Sequence, residues 1–198
     1  MRKTIDYNLY LCTDRELMSC ETIEESVEQS ILGGATLIQL REKDCTSRKF
    51  YDIAVSVKEI CDKYNVPLII NDRADIAIAI DCAGVHVGQN DLPCKELRKI
   101  MGDKLIGVSA STLDEALKAQ NDGADYLGVG AMFSTNTKTD ARHVTMEQLI
   151  QIRENINIPI VIIGGINKAT IPQFRNLGLD GIAVISAIIS QTNIKKAA

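Results

Sequence analysis

The chain has 198 residues, 45% of them hydrophobic and 24% charged, with a formal net charge of −4. That length suits one buried core, and the acidic balance argues against a nucleic-acid surface, which is normally basic. An anionic small molecule would have to be caught by a local cluster of Lys and Arg.

No apolar stretch approaches the roughly 18 residues of a membrane span, and the first residues lack a signal-peptide apolar core. Six cysteines, none in a C-x-x-C pair, point to reduced, buried thiols in a cytoplasmic protein.

Eight short aliphatic or β-branched runs follow one another: 8–12, 37–40, 67–70, 84–87, 105–109, 126–128, 159–163 and 181–185. Amphipathic, helix-favouring stretches separate them at 22–32, 47–64, 73–80, 94–101, 112–120, 145–155 and 170–177, with a last one from about 187. Thr22 with Glu25, Thr112 with Glu115 and Thr145 with Gln148 carry capping-box spacing. The strands are continuously apolar, as in LIQL, PLII and PIVII, which is the pattern of parallel strands covered on both faces. Eight units of this kind imply a single-domain α/β (β/α)8 TIM barrel, with an open doubly wound sheet as the alternative.

In such a barrel the chemistry gathers where the strands end. After the second run stand Gln39, Arg41 and Lys43, placed on one side by alternation; Arg grips phosphate in a bidentate way and Lys acts as a point charge. Asn71 and Asp72 follow the third run, where helix N-capping is the plainer explanation. His86 and Asp91 follow the fourth, and two carboxylates, Asp72 and Asp91, at matching heights suit Mg²⁺. Ser109 after the fifth is not explained as a cap. The stretch 130–143, with Ser134, Thr135, Asn136, Thr137 and Lys138, has the length and polarity of a binding loop. Gly164-Gly165 after the seventh run and Ile185-Ser186 after the eighth occupy the usual phosphate position of this fold.

These segments resemble the thiamine phosphate synthase family almost from end to end: YLCTD (10–14), QLREK (39–43), INDRAD (70–75), GVHVGQND (84–91), IGVSAST (106–112), DYLGVG (125–130), STNTK (134–138), IGGI (163–166) and GIAVIS (181–186). The resemblance implies a Mg²⁺-dependent transferase. It would join hydroxymethylpyrimidine diphosphate to a thiazole phosphate, releasing diphosphate through a pyrimidine carbocation. Carried over residue by residue, Gln39, Leu40, Arg41, Glu42, Lys43, Asn71, Ser109 and Lys138 would hold the pyrimidine diphosphate. Arg41, Lys43, Ser109 and Lys138 would form the catalytic set, and Asp72 and Asp91 would hold the metal. Thr135, Asn136, Thr137, Gly165, Ile185 and Ser186 would hold the thiazole phosphate.

The implied partners are two small molecules, with no nucleic acid or membrane, and a homo-oligomer is left open. The chain departs from the family pattern at Ala131 and Ser134, where Pro is usual. A thiazole tautomerase of the same fold is the nearest rival; it would be expected to carry a histidine near 109–112, where this chain has Ser111. A phosphoribosyl-compound isomerase and a non-catalytic precursor-binding protein are the more distant rivals.

Overall fold

The computed structural model describes residues 4–134 and 142–198. Among them, eight strands close into a parallel barrel in sequence order. They are β1 (Leu9–Cys12), β2 (Leu37–Leu40), β3 (Leu68–Asn71), β4 (Gly84–Val87), β5 (Leu105–Ala110), β6 (Tyr126–Val129), β7 (Ile160–Ile162) and β8 (Gly181–Val184). The ring shuts through β1 beside β8, with Leu9 opposite Ile182 and Leu11 opposite Val184.

Outside the ring run α1 (Ile23–Gly33), α2 (Ser47–Lys63), α3 (Ala74–Ala79), α4 (Cys94–Met101), α5 (Leu113–Asn121) and α6 (Met146–Asn155). Two four-residue helices, α7 (Ser186–Ile189) and α8 (Ile194–Ala197), end the chain. None of the helices described is long and apolar enough to cross a membrane.

Strand alternation sorts the apolar residues into two cores. Leu11, Ile38, Leu40, Ile70, Val85, Val108 and Leu127 face outward into the layer shared with the helices. Tyr10, Cys12, Leu37, Ile69, Tyr126, Val161 and Ala183 fill the barrel interior. Both sets are buried, which is why the strands show no polar face in sequence.

Thr22, Thr46, Thr112 and Thr145 each accept a hydrogen bond from the backbone N–H three residues on. The reciprocal half is present at Thr145, whose own N–H donates to the Gln148 side chain at 2.8 Å. At Thr112 the carboxylate of Glu115 turns elsewhere, accepting from the Ser111 N–H at 2.7 Å and from Arg142 at 3.0 Å.

Two expectations change. The 170–177 stretch forms only a 3-10 turn over Ile171–Phe174, with Pro172 inside it; proline's missing N–H discourages a longer helix there. The start of α3 is not capped by Asn71 or Asp72: Arg73 occupies the cap position and makes no side-chain capping bond. Asp72 instead sits at φ +61 with its N–H donating to the His86 carbonyl at 2.8 Å.

Six cysteines are free thiols. Four are buried, and burial pushes Cys12 and Cys61 up to about 12 and Cys94 up to about 11. Cys20 and Cys45 are only half-buried, contrary to the expectation of six buried thiols.

Thr145→Ala removes the side-chain acceptor of the capping box while its backbone N–H can still donate to Gln148, and is expected to lower unfolding free energy by about 1 kcal/mol. Chemical denaturation checks this; no change in midpoint would contradict it.

Candidate active site

The strand C-termini open into one cavity of about 640 Å³. Inward-facing residues reach it by the same alternation that fills the interior. From β2 come Gln39, Arg41 and Lys43; Leu40 and Glu42, one step out of phase, do not line it. Leu40 packs in the outer core, and the Glu42 carboxylate takes two bonds from Arg15, at 3.0 and 3.1 Å. The side chains of Leu40 and Glu42 therefore support the Gln39–Lys43 segment from outside the cavity.

Arg41 is placed from β1. Its N–H donates to Thr13 Oγ1 at 3.0 Å, and its guanidinium meets Asp14 Oδ2 at 3.1 Å with both side chains largely buried. An ion pair held away from water is tighter in geometry than one on the surface, so the guanidinium is aimed before any anion arrives. Thr13 and Asp14 were not singled out in the sequence, although both sit directly after a strand.

From β3 and β4 come Asn71, Asp72 and Asp91, all in the cavity wall. Asp91 folds back to accept the Gly88 N–H at 2.7 Å. The Asp72 carboxyl is pushed up to about 6, chiefly by burial, then by the Asp91 charge and a side-chain hydrogen bond with it, against the opposing pull of Lys43 and Asn71. Two carboxylates forced together in this way concentrate negative charge at one point of the cavity wall. Among the described residues no group of three or more His, Cys, Asp or Glu is placed so that it could hold a metal ion. The acidic pair would therefore leave most of a hard cation's coordination to water or substrate oxygens.

Ser109 reaches the cavity from β5 and is bonded from two sides. His86 Nε2 lies 3.0 Å from its Oγ, and Gln89 donates to its carbonyl at 2.6 Å. Gly164 and Gly165, at φ +93 and +66, expose backbone after β7. A Cβ on Gly165 would stand 2.7 Å from that of Phe133, so this turn admits no side chain. Ile185 and Ser186 complete this arc after β8. Thr135, Asn136, Thr137 and Lys138 lie outside the described residues. The described residues on either side of them are tied together: Ala131 N–H donates to the Arg142 carbonyl at 2.9 Å, Val144 N–H to the Ala131 carbonyl at 2.8 Å, and Ser111 Oγ to the Gly130 carbonyl at 3.1 Å.

The mouth thus has a cationic and carboxylate arc over β2–β4 and an uncharged glycine and hydroxyl arc over β7 and β8. The family model described as thiamine monophosphate synthase matches residues 9–188. The chain belongs to this family. It is 60% identical to the thiamine-phosphate synthase of Clostridium beijerinckii, over 100% of this chain and 95% of that one. It is likewise 60% identical to that of Clostridium botulinum strain Eklund 17B, over 99% and 92%. Among solved structures, the thiamine phosphate pyrophosphorylase of Pyrococcus furiosus superposes with a TM-score of 0.90 at 40% identity, over 97% of this chain and 92% of that one. An N-acetylmannosamine-6-phosphate 2-epimerase from Clostridium perfringens, at 19% identity and a TM-score of 0.67, shares the fold.

Asp72→Asn is expected to stabilise the protein. A carboxyl whose folded pKa is raised binds more protons folded than unfolded between about pH 4 and 6, so wild-type stability falls as pH rises through that window and stays reduced above it. Asn carries no such penalty, and it tolerates the left-handed backbone at this position. The midpoint of thermal unfolding should rise by at least about 2 °C at pH 7.5, with the gain vanishing near pH 4. A gain that instead grew on acidification would refute the upward shift of the Asp72 carboxyl.

Proposed function

We propose that the chain is a thiamine-phosphate synthase that joins a pyrimidine methyl diphosphate to a thiazole phosphate with release of diphosphate. The observation that carries this reading is the division of one mouth into two arcs of different chemical character. Arg41 and Lys43 face the acidic pair Asp72 and Asp91 on one arc, and Gly165 and Ser186 form an uncharged cradle on the other. A diphosphate carrying a cation fits the first arc, and a monophosphate held by backbone and hydroxyl groups fits the second.

In the reaction, the bond between the pyrimidine methylene carbon and its diphosphate oxygen breaks, and the electron pair leaves with diphosphate. The thiazole nitrogen then donates its lone pair to that carbon. Negative charge grows on the departing group, so the residues that matter are cations aimed at it beforehand. Arg41 is aimed by Asp14, and Lys43 stands beside Asp72. Lys138, outside the described residues, would add a third cation. Mg²⁺ is the cofactor the acidic pair suits: Asp72 and Asp91 would hold it, and it would neutralise leaving-group charge. No protein nucleophile is required.

The tautomerase alternative needs a proton shuttle in the 109–112 segment. Ser111 stands there with its hydroxyl engaged by the Gly130 carbonyl.

Mixing both substrates with Mg²⁺ is expected to give thiamine phosphate and diphosphate, detected by mass. Lys43→Ala and Asp91→Ala should each lower turnover by on the order of 10²-fold or more, since each removes an interaction that strengthens in the transition state. A wild type that isomerises thiazole phosphate without joining it to the pyrimidine would overturn the assignment, as would full activity in either variant.

A further inference from the structure

Five side chains from five strands form a continuous hydrogen-bonded line through the barrel interior. Gln39 Nε2 donates to Tyr10 Oη at 2.8 Å, and Tyr10 Oη lies 2.8 Å from Tyr126 Oη. Tyr126 Oη is 3.1 Å from His86 Nδ1, and His86 Nε2 is 3.0 Å from Ser109 Oγ. Tyr10 and Tyr126 are about 1% exposed or less, and Gln39 and His86 are buried too. The backbone makes room for this line. His86 and Tyr126 flank Gly107 in register, and a Cβ on Gly107 would fall 2.1 Å from Tyr126 Cζ and 2.4 Å from His86 Nδ1.

Counting protons gives the line a direction. Burial raises both tyrosines well above 10, so each keeps its single proton. An amide nitrogen only donates; Tyr10 therefore accepts from Gln39 and must donate onward to Tyr126. Tyr126 in turn donates to His86 Nδ1, which leaves the proton of a neutral imidazole on Nε2, donating to Ser109 Oγ. The hydroxyl proton of Ser109 is left to point elsewhere, and the Gln39 amide oxygen remains an acceptor. Turning the Gln39 amide over would reverse every bond and exchange the characters of the two ends.

We propose that Tyr10, Tyr126 and His86 are positioning residues that hold Gln39 as a hydrogen-bond acceptor and Ser109 as a donor, and so select a ring carrying an exocyclic amine and a bare ring nitrogen. This rests on the synthase reading, whose aminopyrimidine offers that pair of groups: its amine donates toward β2 and its ring nitrogen accepts from β5. An oxo-pyrimidine, with a carbonyl in place of the amine and a proton on the ring, meets the opposite pattern. His86 and Ser109 are thereby not a base and nucleophile, because Nε2 donates to the hydroxyl and cannot take its proton.

Two measurements test the proposal. The chain has two histidines, His86 and His143, so two-bond proton–nitrogen correlation spectra of the wild type, assigned with His143→Gln, read the His86 tautomer directly. The expected result at pH 7.5 is neutral imidazole protonated at Nε2; the Nδ1–H tautomer or an imidazolium overturns the chain's direction. The second measurement compares kcat/KM for the aminopyrimidine diphosphate and its 4-oxo analogue. Wild type should prefer the amine by on the order of 10²-fold or more, since a mismatched analogue leaves buried polar groups unpaired. Tyr126→Phe should shrink that preference by about 10-fold or more while leaving the KM for thiazole phosphate unchanged. An unchanged preference overturns the proposal, and should Tyr126→Phe not fold, the tautomer decides. Wild-type protein that makes no thiamine phosphate from the native pair would defeat the synthase reading instead, an outcome separate from either result.

Discussion

A closed parallel barrel imposes one constraint from which the rest of this molecule follows. Every second strand residue points into a space sealed by the other seven strands, where a polar atom has only other polar atoms to bond. Tyr10, Gln39, His86, Ser109 and Tyr126 all fall on that inner phase, and they satisfy one another across strands far apart in sequence. The same phase, carried past the strand ends, delivers Arg41 and Lys43 to the cavity and turns Leu40 and Glu42 outward. Interior packing and mouth chemistry are thus one pattern continued.

Charge in the mouth is arranged on a chain whose net charge is negative. Long-range attraction cannot gather an anion here, so local geometry has to do so. Asp14 supplies part of it by holding the Arg41 guanidinium, and Arg15 anchors the neighbouring Glu42. The acidic pair works in the opposite sense. Burial and the Asp91 charge raise the Asp72 carboxyl to about 6, a cost to the folded state that a bound cation would offset. Such a loss of stability at a cavity wall is common where a site is built for binding.

The fold was legible in the sequence because strands buried on both faces leave an unbroken apolar signature. The strand bounds read there agree with the structure to about one residue at each end. Helix starts were legible where a threonine stood three residues before an acceptor or donor, and misleading where backbone geometry ruled: Asp72, a plausible cap by type, is drawn into a left-handed turn by its bond to the His86 carbonyl. The mouth's charged residues could be found because strand ends mark them. The interior chain could not. Tyr10 and Tyr126 count as ordinary strand residues until closure brings hydroxyls 116 positions apart to 2.8 Å, and the clue available was indirect, in glycines at 107 and 128 within otherwise bulky strands. Arg142 escaped notice likewise, since its partner Glu115 already had a local explanation as a capping residue.

That interior chain is hard to explain as a device for stability. A buried hydrogen bond contributes modestly once desolvation of both groups is counted, and apolar residues of the same shape often serve as well. Phenylalanine at 10 and 126 and leucine at 86 would fill much of the same volume without polar atoms to satisfy. What such a core would lose lies at its ends. The Gln39 amide and the Ser109 hydroxyl would each be free to rotate, and each can act as donor or acceptor. With Tyr10, Tyr126 and His86 between them, the orientation at one end is tied to that at the other, because reversing any one bond requires reversing all of them. A rotatable amide and a rotatable hydroxyl so become a single preorganised pair, which reduces the ordering cost of binding.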